Sequence, residues 1–298
     1  MVHKAAPPLD IAAQTLAGLL RDSVASGREP VETPDISVAS AVHDLRKALK
    51  RWRAILRLIA PVIGEEAELM RVEARDLARE IAAARDSQAA QEALADLGDD
   101  LPGLSTRSRA TIGERLAQIG ANAENVSLSP VHKARIGEMW TRAGAAIERW
   151  PVRNFDRTEA ARQLAASYRR VCAAIPEEWS KANPEALHRL RQRVVEHRYQ
   201  IELAHPVWPK LMRVWVSEAQ RLRDRLGAHH DLVILRQMTE PHRPLARWHA
   251  QLAPLIAERQ TAHVAGAKRL AGRLFAETPK AFRHRLDTLW ERRAHGRD

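Results

Sequence analysis

Apolar residues recur along most of the chain at intervals of three and four, which places them on one face of an α-helix. The chain is rich in alanine, leucine, arginine and glutamate, which favour helices, and no segment shows the alternation of a strand. Prolines and glycine-containing stretches separate these segments. The pattern therefore predicts an all-α protein. The predicted helices cover residues 9–26, 37–60, 65–97, 108–121, 130–149, 156–174, 182–204, 209–239, 243–275 and 279–293.

The chain also aligns with itself at an offset of 145 residues, so that 41–86 meets 186–231 without a gap. The matched pairs include His43 with His188, Arg46 with Arg191, Arg53 with Arg198, and Pro61-Val62 with Pro206-Val207. Because the offset is close to half of the chain, we expect one helical unit used twice. We predict a four-helix-like bundle in residues 1–150 and another in 151–298, related by pseudo-two-fold symmetry and together forming one domain.

Basic residues form a stripe on one face of the second predicted helix. At about 100° per residue, the five members share an arc of about 80° beside the apolar face. The members of this first basic stripe are His43, Arg46, Lys50, Arg53 and Arg57. Like charges on one face repel each other, so the stripe favours binding of an anion that neutralises them; the alternative is a solvated face in an arginine-rich chain. Arginine suits phosphate because its planar guanidinium can donate to two oxygens.

The second copy of this stripe has fewer basic residues than the first. The second basic stripe consists of His188, Arg191 and Arg198, with Tyr199 beside them. Its aligned residues Val195, Glu196 and Glu202 stand where the first copy has Lys50, Arg51 and Arg57. We therefore expect the first stripe to contribute more to binding than the second.

Two further sets of residues are candidates for the same site. His132, Arg135 and Arg142 repeat the angular pattern of the stripes on another helix. Arg85 and His230 each precede an aspartate and follow the histidine of their own repeat by 42 residues. A charge pair at a helix end is the alternative for these two. The adjacent histidines at 229 and 230 point to different faces of a helix, so no metal site is predicted.

The net charge of the chain indicates the class of its binding partner, and its cysteine content indicates the cellular compartment. Lysine and arginine number 48 against 37 aspartates and glutamates, and the resulting net charge of +11 favours nucleic acid, an anionic membrane surface or an inorganic polyanion. The single cysteine, Cys172, excludes an intramolecular disulfide and suits a reducing cytoplasm. No apolar run approaches the roughly 18 residues of a membrane-spanning helix, and no signal-like segment is recognisable, so we expect a soluble cytoplasmic protein.

At the basic stripes the sequence resembles the CHAD domain (conserved histidine α-helical domain) family. The resembling segments are 43–53, 84–86, 188–193, 198–199 and 226–232. The resemblance covers nearly the whole chain and implies two helical bundles around a basic surface or pore. It also implies inorganic polyphosphate as the ligand, with targeting to polyphosphate granules. By matching position, the implied contacts are the two basic stripes, with Arg85 and His230 as further candidates. Val195 departs from the family pattern, in which lysine is common.

We therefore predict non-catalytic binding of polyphosphate, with no cofactor and no metal. A nucleic-acid-binding helical protein is the first alternative, although the sequence shows no zinc-finger spacing and no clear aromatic RNA-binding motif. An enzyme or accessory module of phosphate metabolism is the second. The sequence lacks a phosphate-binding glycine loop, a His-Glu-x-x-His motif and an evident carboxylate cluster for magnesium.

Overall fold

Every regular element that the structure describes is a helix, which confirms the all-α prediction. The computed structural model describes residues 10–33, 35–81, 85–98 and 102–294, without the side chains of Arg85 and of residues 122–127. The α-helices are α1 (Ile11–Glu32), α2 (Val38–Ile63), α3 (Glu65–Glu80), α4 (Arg85–Leu97), α5 (Thr106–Ser127), α6 (Pro130–Arg149), α7 (Arg157–Cys172), α8 (Pro184–Gln200), α9 (Pro209–Met238), α10 (His249–Leu274) and α11 (Pro279–Ala294). Short 3-10 helices cover Val152–Asn154, Trp179–Lys181, Ile201–Ala204 and Ala246–Trp248.

Several helix boundaries differ from the sequence prediction. The helix expected to end at residue 26 continues through Pro30 to Glu32, and the helix expected over 108–121 covers Thr106–Ser127. The helix expected to end before Pro61 continues to Ile63, because the proline lies in its last turn and Gly64 terminates the helix with a φ of 85°. The helix expected over 65–97 is not continuous, because α3 ends at Glu80 with Ile81 as its C-cap, and α4 begins at Arg85; residues 82–84 of this prediction lie outside the described residues. The side chain of Ser37 caps the N-terminus of α2, since it accepts a hydrogen bond from the backbone N–H of Ser40.

The helices enclose two apolar cores. The larger core draws on residues from Ala12 to Trp290 and therefore joins the two predicted halves of the chain. The smaller core lies between α4, α5, the end of α9 and the start of α10. The order of helices from α1 to α6 recurs from α7 to α11, with α9 continuous where α3 and α4 are separate. The division at residue 150 and the pseudo-two-fold symmetry stay predictions. None of the described helices combines the length and apolar character that crossing a bilayer requires.

The two helices that carry the basic stripes, α2 and α8, pack against each other and are called the signature helices below. Helix α2 contacts α8 through Arg57 to Glu196 at 3.0 Å and through the Gln200 Nε2 donor to the Ala54 carbonyl oxygen at 2.7 Å, and it contacts the following 3-10 helix through Arg51 to Glu202 at 3.2 Å. Residue numbers rise along one helix as they fall along the other, so the two helices run antiparallel. His43 and His188 therefore lie towards opposite ends of the pair.

Candidate anion-binding site

A row of arginines crosses the structure from α3 over α2 to α7 and α8. The members of this arginine row are Arg79, Arg75 and Arg71 on α3, Arg53 and Arg57 on α2, Arg170 on α7 and Arg193 on α8. Arg53 is repelled by Arg57 and by the three arginines of α3. Arg57 in turn repels Arg170, which lies near Arg193. The row is therefore continuous and connects helices from both predicted halves of the chain.

Arg53 lies at the centre of the arginine row. Burial lowers the pKa of its guanidinium below the ordinary value, and repulsion by the neighbouring arginines lowers this pKa further. Its Nε atom is buried without a hydrogen-bond partner among the described residues. A cation in these surroundings is stabilised by any external anion that supplies the missing charge and hydrogen bond.

Only part of the row's charge is compensated within the protein. The carboxylates paired with it are Glu68 with Arg71 at 2.6 Å, Asp76 with Arg75 at 2.9 Å and with Arg79 at 3.4 Å, and Glu196 with Arg57, Arg170 and Arg193. Seven arginines against three carboxylates leave a net charge of +4 on the row. Arg46 and Lys50 lie on the same helix as Arg53 and are half-buried, so the first basic stripe extends this positive surface.

Three arginines and three glutamates of α3 lie on different sides of the helix. Arg71, Arg75 and Arg79 recur every four residues, whereas Glu66, Glu73 and Glu80 recur every seven. At about 100° per residue, the two sets point about 160° apart, with the buried residues Ala67, Ala74 and Leu77 between them. These arginines and these three glutamates therefore flank the apolar face of α3 on opposite sides, while Glu68 and Asp76 lie beside the arginines with which they pair.

The acidic side of α3 faces α6 and forms an ion-pair ladder with it. The pairs of this ladder are Arg135 with Glu80 at 2.8 Å, Arg142 with Glu73, and Arg149 with Glu66 at 2.9 Å. The Nε2 atom of His132 lies 3.9 Å from Glu80. Carboxylates of the protein itself thus face three residues that the sequence predicts to contact the ligand, His132, Arg135 and Arg142. Their role in binding stays a prediction, and their charges are already opposed by these carboxylates.

Glu196 on α8 and Glu202 in the following 3-10 helix pair with arginines of α2, which the alignment did not indicate. From the sequence, Glu196 and Glu202 weaken the second basic stripe. In the structure they lie opposite arginines of the first signature helix, with Glu196 beside Arg57 and Glu202 beside Arg51. Burial raises the pKa of Glu202, although Arg51 and Arg198 oppose this rise. The glutamates that replace basic residues in the second repeat therefore form ion pairs between the two repeats.

Residues of the second basic stripe are packed more tightly into the protein. Arg191 is only 9% exposed, and its Nε lies 3.4 Å from where a Cβ on Gly227 would stand. The guanidinium of Arg198 lies 4.1 Å from the ring centre of buried Tyr199. The rings of His188 and His230 have their centres 4.4 Å apart. The structure brings this last pair together as a local cluster between α8 and α9.

The remaining residues that the sequence predicts to bind the ligand are His43 and Arg85. His43 is exposed near the start of α2. The side chain of Arg85 lies outside the described residues. Sequence reasoning missed the α3 arginines, although their regular spacing of four was a signal, and it missed Arg170 and Arg193, whose place depends on how α7 and α8 pack.

Comparisons with known proteins agree with this architecture. The family model for the CHAD domain matches residues 29–240. A solved structure described as PptA from Streptomyces chartreusis is similar with a TM-score of 0.64 and 18% identity, over 89% of this chain and 99% of that one. The crystal structure of the CHAD domain from the plant Ricinus communis is similar with a TM-score of 0.52 and 18% identity, over 94% of this chain and 92% of that one. At this identity the two likenesses show the fold alone. No match was found among curated protein sequences. Because the family model spans more than two thirds of the sequence, this chain belongs to the CHAD domain family.

Proposed function

We propose that this protein binds inorganic polyphosphate without cleaving it, and that the arginine row is the main binding surface. The observation that carries the proposal is the position of Arg53, a half-buried cation with a buried Nε, surrounded by other cations. Such a cluster weakens the folded protein unless an anion offsets the repulsion. An anionic ligand supplies that compensation from outside.

The shape of the row favours an extended ligand. The three arginines of α3 alone span about 12 Å along the helix axis, from the rise of 1.5 Å per residue. A single phosphate reaches only a part of this surface, whereas a chain of phosphates can contact successive guanidinium groups. The family resemblance narrows an extended polyanion to polyphosphate, and it carries the further proposal that the protein associates with polyphosphate granules in the cytoplasm.

A binding role suits the residues of the row better than a catalytic one. Arginine remains protonated in proteins and is a poor general acid or base. No group of three or more His, Cys, Asp or Glu in the described part of the chain is arranged to hold a metal ion. Robust release of phosphate from polyphosphate in the presence of magnesium would contradict the non-catalytic part of the proposal.

Titration with long-chain polyphosphate, with orthophosphate as the control ligand, tests the proposal. Each neutralised phosphate releases counterion, so a surface of net charge +4 predicts a slope of about −3 for log affinity against log salt. We expect micromolar or tighter binding at moderate salt and no comparable binding of orthophosphate. Duplex DNA is the competitor that decides the nucleic-acid alternative. If DNA displaces polyphosphate at equal phosphate concentration, the ligand is wrong.

A further inference from the structure

Three arginines from three helices converge on the carboxylate of Glu196. Arg57 of α2 lies 3.0 Å away, Arg170 of α7 lies 3.1 Å away and Arg193 of α8 lies 3.3 Å away. The Glu196 side chain is only 15% exposed, whereas each arginine is about a third exposed. The carboxylate therefore lies at the bottom of a small cluster whose cationic rim faces solvent.

The charge of this cluster is unbalanced. One carboxylate opposes three guanidinium groups, whereas each arginine of the ladder between α3 and α6 has its own glutamate. Burial lowers the pKa of Arg170, attraction to Glu196 opposes this, and repulsion by Arg57 and Arg193 adds to it. A carboxylate and an inner phosphate of a polyphosphate chain each offer two terminal oxygens and one negative charge, but the chain presents them repeatedly along the row, whereas Glu196 presents them once.

We infer that Glu196 is an internal competitor, which occupies the same three arginines that a phosphate of the ligand binds and so limits the affinity of the row. Arg170 and Arg193 are then ligand-binding residues, although neither belongs to a basic stripe. Phosphate binding at this point displaces Glu196 from its arginines instead of filling an empty pocket. This inference rests on the proposed function, because the ligand that competes with Glu196 is polyphosphate.

Substitution of Glu196 by glutamine tests the inference. The glutamine keeps the shape of the side chain and removes its negative charge, so the three arginines lose their competing anion. We expect Glu196→Gln to tighten polyphosphate binding about fivefold, in the range of a partly exposed charge contact. Glu73→Gln is the matched control, because it changes the net charge equally but lies in the ladder to α6. It should change the affinity by less than about twofold, since its charge lies on the other side of α3.

Arg170→Gln is a second variant that does not depend on the stability of Glu196→Gln. We expect it to weaken binding about fivefold, and to remove most of the gain when combined with Glu196→Gln. Arg149→Gln, which loses a pair with Glu66, is its control of equal charge. Thermal unfolding of every variant accompanies these titrations.

The outcomes separate the inference from the proposed function. If the unsubstituted protein does not bind polyphosphate, the proposed function fails. If it binds, but Glu196→Gln binds no tighter than Glu73→Gln, Glu196 is no competitor and the inference fails. Equal affinities of Arg170→Gln and Arg149→Gln also overturn it, and this comparison decides the matter if Glu196→Gln does not fold.

Discussion

Arg57 on α2 and Glu196 on α8 form an ion pair of 3.0 Å that joins the two signature helices. Under the 145-residue offset of the internal repeat, Arg57 corresponds to Glu202 and Glu196 corresponds to Arg51. Those two counterparts also form an ion pair, at 3.2 Å. The opposite charges at equivalent positions of the two repeats are thus complementary, and two unequal copies fit each other where two equal copies would place arginine against arginine.

Energetic coupling across the signature helices is the first expectation. In a double-mutant cycle of Arg51→Ala and Glu202→Ala, the two residues should couple by roughly 0.5–1 kcal/mol in the free energy of unfolding, because the pair is partly exposed and screened. Chemical denaturation of the four proteins measures the coupling. Arg51→Ala with Glu73→Ala, a pair without contact, is the control cycle and should be additive. Additivity in both cycles would show that the pair does not join the helices energetically.

We expect Arg53 to lower the free energy of unfolding and to raise the affinity for polyphosphate. In Arg53→Met the apolar stem remains, while a cation repelled by its neighbours and lacking a partner for Nε is removed. We expect the free energy of unfolding to rise by roughly 0.5–1 kcal/mol and polyphosphate affinity to fall about tenfold. Arg135→Met removes a compensated cation of the ladder and should do neither. Destabilisation by Arg53→Met would mean that the row is not under electrostatic strain.

Acid should destabilise the fold through His197. This ring is completely buried, with Nδ1 3.0 Å from Ser167 Oγ, and burial lowers its pKa from 6.5 to about 3. Between these two values the His197 imidazole is protonated in the unfolded chain and neutral in the folded chain. The stabilisation is therefore complete above pH 6.5 and falls as the pH drops, by about 1.4 kcal/mol per pH unit.

Denaturation measured between pH 7 and pH 4 tests this dependence. His197→Gln should remove that part of the slope, while His229, whose pKa burial lowers to about 4, retains its own. His43→Gln, at an exposed position, is the control and should keep the full slope. An unchanged slope in His197→Gln would assign the acid sensitivity to other groups.

Helical periodicity was sufficient to predict most of the fold. The helix predicted over 130–149 has those bounds in the structure, and the one predicted over 209–239 ends one residue earlier. The end of α3 at Glu80 could not be predicted, because Ile81 and the alanines that follow it in the sequence are residues that a helix accepts.

The candidate site was only partly predictable, for a related reason. Angular position identified Arg53 and Arg57 as members of one face, but it could not show that Arg71 of another helix lies beside them. It also treated Arg142 as equivalent to Arg53, because the opposing Glu73 belongs to a different helix. Whether a cation is compensated depends on helix pairing, and the pattern along a single helix does not contain that information.

The most direct test compares two double variants of equal net charge in the same polyphosphate titration. The row variant carries Arg53→Gln and Arg75→Gln, and the ladder variant carries Arg135→Gln and Arg142→Gln. If the arginine row is the binding surface, the row variant should lose affinity by roughly 10- to 100-fold, as expected for two charge-assisted contacts, while the ladder variant stays within about threefold of the unsubstituted protein. Equal losses in both variants would show that overall charge governs binding, and a greater loss in the ladder variant would place the site on the other side of α3.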